Sequence, residues 1–424
     1  MRRAFYISIL MISSLVDLPR KVMFGTITAS GVLTILYGII IALLLVAERR
    51  RVRTSAMLIW PLALLFGWVL LSWLWHWPST LGFQETLSLD IFLGLIVLFA
   101  APEERGIRRL DVGKVLGWAI AISAGLYAIS LALQGPGTDL ILAPRPFALF
   151  ALLGVSWYVA GWVYGSWKSL LYALGLLLLI GLSLSRTAFA VGILLLPLSK
   201  LGTIRKRGLA QAGLISIVAG LFLFLAVSNI PALADRLLGN ATVGEIAAGD
   251  MDLDTSGRPL AWATAFDDFT DSPWIGKGAG SAGDLLSSIH EEWGHTHNEY
   301  LRFLHDYGII GLGLFLLGMG SLLRRCWMAR NKAASEKRRI GQMRVAAFLG
   351  LAGVLLSIMT DNTASYVNVM SPLGMMVGMA LLPSTDSALE AAEVRGRGPR
   401  QIHLPSPATS SFRSQMNPST RRSV

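Results

Sequence analysis

The sequence has little charge and almost no cysteine. Only 15% of its 424 residues are charged and 54% are hydrophobic, whereas soluble domains carry about 25% charged residues. The length would allow two or three soluble domains, but charge is too scarce to cover them. Abundant leucine, valine and aromatic residues exclude a disordered chain, and the single cysteine, Cys326, excludes a disulfide scaffold. The composition therefore predicts an all-α, polytopic membrane protein.

Several catalytic motifs are also missing. No Walker sequence occurs, which argues against an ATP-driven pump, and no GxSxG elbow occurs, which argues against a serine hydrolase. His290, His295 and His297 are close in sequence and could supply zinc ligands, but neither an HExxH helix nor a cysteine partner accompanies them. We therefore expect neither a bound metal nor a cofactor.

Apolar runs divide the chain into about twelve candidate membrane spans. Several runs are shorter than the roughly 20 residues that a crossing needs, so short buried or re-entrant helices are expected among them. We assign residues 1–382 to the transmembrane domain, including one large loop, 229–307, that carries short helices. The tail, 383–424, is rich in Ser, Pro and Arg and is expected to be disordered and cytoplasmic. The runs lie at roughly 4–16, 22–47, 55–75, 87–100, 115–134, 146–164, 169–183, 187–199, 209–228, 308–323, 345–360 and 365–382.

Positive charge is unevenly divided between alternate loops. The chain has 37 Lys and Arg against 26 Asp and Glu, a net charge of +11. If both termini are cytoplasmic, most of the cations fall on the cytoplasmic side, as the positive-inside rule requires. This bias orients the loops and implies no nucleic-acid partner. The cations placed on the opposite side are Arg20, Lys21, Arg145, Arg186, Arg236, Arg258, Lys277 and Arg302.

The segment Ser169–Ser199 breaks the simple pattern of spans. It is apolar except around Ser185-Arg186-Thr187, and as one helix it would be roughly 46 Å long, against a bilayer core of about 30 Å. Lys168 and Lys200 flank it, so two short helices with a turn near Arg186 are predicted. An arginine at this depth is costly and is a candidate functional residue.

The loop 229–307 holds half of the acidic residues and is predicted to face outward, opposite most of the positive charge. Long loops often carry function. Arg258 precedes Trp262 by four residues, and His297 opens a stretch predicted to be helical, with His297, Gly308 and Gly311 on one face. The glycines of that stretch would allow close approach to a neighbouring helix.

Arginines and a histidine at a membrane surface suit glycosyl transfer from a lipid diphosphate. Guanidinium groups bind the departing diphosphate bidentately and offset the charge that builds as the glycosidic bond breaks. A neutral histidine can accept the proton of an attacking sugar hydroxyl.

These residues resemble the motifs of the O-antigen ligase superfamily. His297-Asn298, nine residues, Gly308, two residues and Gly311 match the family pattern H-[NSQ]-x9-G-x-x-G. Ser185-Arg186-Thr187 resembles its Ser-Arg-Thr turn. Arg258 with Trp262, followed by Pro273–Gly278, resembles its Arg-x-x-x-Trp…Gly-x-Gly stretch. The resemblance runs over roughly residues 22–382.

The resemblance implies a GT-C-like enzyme of the bacterial inner membrane. Such ligases move O-antigen polysaccharide from undecaprenyl diphosphate to the lipid A–core of lipopolysaccharide at the periplasmic face, without metal and with inversion. Besides these two lipid substrates and membrane lipid, no partner is implied, and we expect a monomer. Carried over to this sequence, Arg186 and Arg258 would bind diphosphate and His297 would act as the base. The further substrate contacts implied are Asn298, Tyr300, Arg302 and Arg145, of which Arg145 lies in a stretch shorter than that of the family.

Three alternatives remain. An O-antigen polymerase or a protein O-oligosaccharyltransferase would share the superfamily and the donor. A transporter of lipid-linked sugars would need inverted repeats and charges deep within its spans. We see no clear repeat, and Asp90 is the lone acidic residue within an assigned span.

Overall fold

The computed structural model describes residues 8, 11–24, 27–49, 59–101, 109–201, 210, 213, 214, 217, 258–290, 294–332 and 338–382. Apart from one pair of two-residue antiparallel strands, Met23–Phe24 and Ile27–Thr28, the regular structure of these residues is helical. The predicted all-α class is therefore confirmed for this part of the chain. Most of the candidate span 209–228, all of 229–257 and the tail 383–424 lie outside the described residues, so the count of about twelve spans stays a prediction.

The helices are numbered in chain order. Within the described ranges, the helices bounded before the large loop are α1 Ala29–Ala47, α2 Trp60–Ser72, α3 Thr80–Ala100, α4 Arg109–Gln134, α5 Pro144–Val163, α6 Trp167–Leu182 and α7 Arg186–Lys200. In the described part of the loop lie α8 Arg258–Phe269 and α9 Ser281–Ile289. Three follow: α10 Glu299–Lys332, α11 Arg338–Ser357 and α12 Val367–Leu381, with short 3-10 turns at Leu18–Lys21 and Thr363–Ser365.

Six of these helices are long and apolar enough to cross a membrane, namely α1, α3, α4, α5, α10 and α11. Three shorter apolar helices, α2, α6 and α12, accompany them. The helix α1 is mostly uncovered, and its exposed side chains include Leu36, Ile39, Leu43 and Val46. An apolar face of this size is expected against lipid, where water does not penalise its exposure.

The core of the bundle is formed by α3, α5, α11 and α12, which are mostly buried. Gly374 and Gly378, four residues apart on α12, face α3 directly. A Cβ on Gly374 would lie 2.8 Å from the Phe92 carbonyl oxygen, and one on Gly378 would lie 2.7 Å from that of Ile96. The two glycines thus allow the α3 and α12 backbones to touch, as small residues do between membrane helices.

The helical hairpin predicted within Ser169–Ser199 is confirmed. The chain turns at Ser183–Ser185 between α6 and α7, and Arg186 is the first residue of α7. Leu184 in this turn has φ of +61°, a left-handed conformation that is unfavourable for leucine. Burial of Ser183 and a hydrogen bond from its hydroxyl to the Ile180 carbonyl hold the turn in place.

The acidic content of the spans differs from the sequence prediction. The helix α3 begins at Thr80, seven residues before the predicted span, so it includes Glu85 as well as Asp90. Glu85 is 5% exposed and pairs with the buried Arg302 of α10. Asp90 is therefore not the lone acidic residue in a span. The span predicted from the sequence began at residue 87 because polar residues, among them Gln84 and Glu85, interrupt the first two turns of α3.

Cations also mark the ends of the bundle opposite the large loop. Arg330 of α10 donates to the Ser199 carbonyl at 2.9 Å, and the Lys200 ammonium lies 4.0 Å from the centroid of the Trp162 ring. These contacts join the ends of α10, α7 and α5 that lie away from α8 and α9. The helices α8 and α9 pack against α10 near its start, at the other end of the bundle, which we call the site end.

Candidate functional site

His297 is held at the site end by the segment that precedes α10. The prediction that it shares a helical face with Gly308 and Gly311 is wrong. His297 lies before the helix with φ of +50°, and Gly308, with φ of +69°, interrupts the helix eleven residues later. A non-glycine residue in this region is strained, and such strain concentrates at functional sites.

The residues beside His297 fix its backbone. The Asn298 side chain accepts a hydrogen bond from the Leu301 amide at 3.2 Å, which caps the start of α10. The Glu299 amide donates to the Ile358 carbonyl at 2.9 Å, which joins this start to the end of α11. His297 is therefore positioned by α10 and by the loop that follows α11.

Arg145 reaches His297 from the start of α5. Its Nη1 lies 3.4 Å from Nδ1 and 3.5 Å from Nε2 of the histidine ring. Its Nε lies 3.7 Å from Oδ1 of Asp361, a side chain only 4% exposed. The Asn362 side chain hydrogen-bonds the His297 ring. Arg145, Asp361 and Asn362 thus surround the histidine, and we call these four residues the histidine cluster.

Arg258 is brought to this cluster by α8. Four residues after Arg258, the Trp262 indole N–H donates to the Thr296 carbonyl at 2.7 Å, one residue before His297. The tryptophan of the Arg-x-x-x-Trp motif thereby ties the first turn of α8 to the histidine segment. The charge of Arg258 acts on both His297 and Asp361.

Arg186 lies at the adjoining turn. The hydroxyl of its neighbour Thr187 is 2.8 Å from that of Thr360, which precedes Asp361. The turn between α6 and α7 therefore packs beside the loop that supplies Asp361. Three arginines from distant parts of the sequence, Arg145, Arg186 and Arg258, meet at one end of the bundle.

The electrostatics of the cluster keep both histidines neutral. Burial, followed by the charges of Arg145 and Arg258, lowers the pKa of His297 to about 3. Burial, followed by the charges of Arg302 and Arg145, lowers the pKa of His295 to about 4. Burial also raises the pKa of the Asp361 carboxyl, although Arg145 opposes that effect. The cluster thus combines a neutral imidazole with concentrated positive charge, which favours a polyanionic ligand.

The remaining predicted contacts have partners within the protein. The Tyr300 hydroxyl donates to the Leu355 carbonyl at 2.9 Å. The Arg302 guanidinium is 7% exposed and pairs with Glu85 and Glu299. Tyr300 and Arg302 therefore connect α10 to α11 and α3, while Asn298 caps α10. The geometry does not bring these three side chains into the histidine cluster.

The glycine motifs hold the loop against α10. Gly276 and Gly308 both have positive φ, and a Cβ on Gly308 would overlap the Trp274 carbonyl. The Lys277 and Gly278 amides donate to the His305 and Asp306 carbonyls at 2.9 and 2.7 Å. The Gly-x-Gly stretch thus packs backbone to backbone on the start of α10, and this fixes the place of α8.

A second polar network lies beneath this contact. The buried Asp306 carboxylate accepts hydrogen bonds from the Gly280 and Ala282 amides at 3.2 and 2.9 Å, and from the Ser281 hydroxyl at 3.0 Å. His305 bridges it to Asp268 of α8 at 2.9 Å. In the described ranges no group of three or more His, Cys, Asp and Glu residues is arranged to hold a metal ion.

Asp361 and Asn362 were missed by the sequence analysis. They lie in a short loop between two apolar runs, where a single aspartate resembles any solvated turn residue. A weak indication of them was present in the sequence, because the polar residues Thr360-Asp361-Asn362 separate α11 from the turn at Thr363–Ser365. Arg145, which the family comparison made doubtful, contacts His297 directly.

Comparison with known proteins bears on the same part of the chain. A family model described as O-Antigen ligase matches residues 170–316, about a third of the length. No curated protein matches the sequence. The matched region includes the α6–α7 turn, Arg258 and His297, and it indicates a glycosyltransferase-like enzyme with O-antigen ligase- or polymerase-type activity in a multi-pass membrane protein. The relationship to the O-antigen ligase superfamily that the motifs indicated is thus confirmed over residues 170–316.

Proposed function

We propose that the protein transfers O-antigen polysaccharide from undecaprenyl diphosphate to the lipid A–core of lipopolysaccharide, at the periplasmic face of the inner membrane. The observation that carries the proposal is the neutral, backbone-strained His297 beside Arg145, with Arg258 acting on the same ring. A diphosphate bound among the arginines and an acceptor hydroxyl near the imidazole would meet the requirements of glycosyl transfer.

In the proposed reaction the acceptor oxygen attacks the anomeric carbon in a single displacement. The bond from that carbon to the diphosphate oxygen breaks, and its electron pair leaves with undecaprenyl diphosphate. The hydroxyl proton passes to the His297 imidazole. Arg145, Arg186 and Arg258 would offset the charge on the leaving group, a task for which guanidinium groups are suited by their fixed bidentate geometry. A single displacement inverts the anomeric centre.

The low pKa of His297 links the base to donor binding. With a pKa of about 3 the free histidine is a weak base, because burial and two guanidinium charges disfavour its protonated form. A bound diphosphate would offset those charges and raise the pKa toward the ordinary value of about 6.5. The imidazole would then accept a proton most readily when the donor is in place.

The test of the proposal is transfer by the purified protein. Detergent-solubilised protein is incubated with a lipid-diphosphate polysaccharide donor and either lipid A–core or a second lipid-linked repeat unit as acceptor. We expect product only on lipid A–core. Extension of the lipid-linked repeat instead would assign the protein as a polymerase, and the absence of any glycosyl transfer would reject the proposal.

A further inference from the structure

A cavity of about 650 Å³ lies beside the histidine cluster at the site end. Its volume is within the range of about 300–1,000 Å³ that is typical of small-molecule sites. Its walls come from the N-terminal segment, the start of α1, the α2–α3 connection and the start of α12. None of these segments supplies a residue of the histidine cluster.

Tyr366 separates the cavity from that cluster. It lines the cavity, and its hydroxyl lies 3.5 Å from Oδ1 of Asn362, which hydrogen-bonds His297. Asp361 and Arg145 on one side and Asp17 on the other all act electrostatically on Tyr366. A ligand in the cavity would therefore be separated from the reacting groups by about one side chain.

Three buried polar atoms in the cavity wall lack hydrogen-bond partners among the described residues. They are a carboxylate oxygen of Asp17, the indole N–H of Trp73 and the hydroxyl of Ser365. Arg20 Nε lies 3.9 Å from the Asp17 oxygen, which is beyond hydrogen-bonding distance. Buried polar atoms are usually satisfied, so three around one cavity require an explanation. The carboxylate oxygen accepts hydrogen bonds, the indole N–H donates one, and the hydroxyl can do either. A ligand that satisfies all three must therefore both donate and accept hydrogen bonds.

Aromatic rings supply the other feature of the wall. Trp73 lies 5.7 Å from Trp77 and 6.5 Å from Phe83, measured between ring centroids, and all three side chains line the cavity. Trp77 is 76% exposed. Tryptophan is common at membrane interfaces, but interface location alone does not explain the unsatisfied atoms. Flat apolar rings beside hydroxyl-bonding groups match a pyranose, which has C–H faces and a rim of hydroxyls.

We propose that this cavity binds a sugar segment of one of the two glycan substrates and holds it while its neighbour reacts at the histidine cluster. The proposal rests on the proposed glycosyl transfer. A polyprenyl or acyl chain fits less well, because it would leave all three polar atoms unsatisfied at a cost for each. The carbohydrate could belong to the acceptor core or to the donor chain.

The test compares Trp73→Phe and Ser365→Ala, alone and combined, with Trp75→Phe as the matched control. Trp73→Phe keeps an aromatic ring, although a smaller one, and removes the N–H, while Trp75 does not line the cavity. We expect each cavity variant to raise KM for one substrate roughly tenfold, as loss of one buried hydrogen bond predicts. We expect kcat to stay within about twofold, because binding and not chemistry is affected.

A binding measurement separates this proposal from the proposed function. Saturation-transfer NMR on the His297→Ala protein uses three probes, namely free core oligosaccharide, free O-antigen repeat oligosaccharide and glycan-free undecaprenyl phosphate. Weaker binding of one oligosaccharide to Trp73→Phe identifies which substrate occupies the cavity. Unchanged binding of both oligosaccharides, or an effect on undecaprenyl phosphate alone, would overturn the proposal. If the unsubstituted protein transfers nothing, the proposed function fails, but this measurement still decides the cavity's occupant.

Discussion

At the scale of single residues, the proposed transfer depends on His297 and Arg258. Replacing His297 with alanine should lower kcat by roughly 100- to 10,000-fold, the range typical of losing a general base. Arg258→Ala should abolish detectable transfer, because it removes a guanidinium group that would offset the charge on the departing diphosphate. Transfer by each purified variant is measured under saturating donor and acceptor.

The control for these substitutions is His290→Ala. His290 follows α9 at the site end, is exposed, and lies outside the histidine cluster. Its loss should leave transfer and thermal unfolding unchanged. Full glycan attachment by His297→Ala, with a normal unfolding profile, would remove His297 from the reaction.

The pH dependence follows from the low pKa of His297. In the free protein the pKa of about 3 leaves the imidazole neutral at every pH above that value. The pH profile of kcat/KM reflects the ionisation of groups in the free enzyme. We therefore expect kcat/KM not to fall through protonation of this histidine between about pH 5 and 8. The kcat profile reports the substrate complex, in which the bound diphosphate offsets the arginine charges, so its acid limb should lie at higher pH. Equal acid limbs near pH 6.5 in both profiles would contradict this account.

The residues of the candidate site could be predicted only in part from the sequence. Arg186, Arg258 and His297 were marked by an interrupted apolar run and by motif spacing. Asp361 was not, because it contacts Arg145, more than 200 positions away, and nothing local distinguishes it from a solvated turn residue. The burial of Arg302 was also unpredictable, because its partner Glu85 lies on another helix. Contacts distant in sequence determine which polar residues face a ligand and which hold helices together.

At the scale of elements, the break in α10 at Gly308 sets the position of α8. An alanine there would need a positive φ and would overlap the Trp274 carbonyl. We expect Gly308→Ala to destabilise the protein by roughly 1–3 kcal/mol or more, measured by thermal unfolding in detergent. Transfer activity should fall with it, since α8 carries Arg258.

The matched control is Gly313→Ala, five residues further along the same helix. No atom lies within 4 Å of a Cβ placed there. In a helix interior, alanine is favoured over glycine by about 1 kcal/mol. Gly313→Ala should therefore be neutral or slightly stabilising. Equal destabilisation by both substitutions would show that any added methyl on α10 disturbs packing, and that the break at Gly308 has no special importance.

The existence of the helices was easier to predict than the backbone conformation of single residues at their starts and breaks. The hairpin of α6 and α7 followed from a length argument and flanking lysines. The helical face assigned to His297, Gly308 and Gly311 was wrong, because the pattern of apolar residues continues through a glycine that breaks the helix. Periodicity in sequence detects which residues face apolar surroundings, and it does not detect a positive φ at one position.

At the scale of the whole molecule, the charge distribution predicts which face of the membrane carries the site. Cations such as Lys200 and Arg330 lie at the end of the bundle opposite the site end, and the sequence assigns most of the Lys and Arg residues to loops on that side. The positive-inside rule therefore predicts that the histidine cluster faces the periplasm, as the proposed function requires. Cysteine labelling can test this directly, because the native Cys326 is fully buried.

Two single cysteines in a Cys326→Ser background would report the two faces. Ser288 is exposed on α9 at the site end, and Asn331 is exposed near the opposite end of α10. In spheroplasts, a membrane-impermeant maleimide should label Ser288→Cys at once and Asn331→Cys only after lysis. The reverse pattern would place the histidine cluster in the cytoplasm. A transferase that meets lipid A–core after the core has crossed the membrane could not then be correct, because its base and its acceptor would lie on opposite sides of the bilayer.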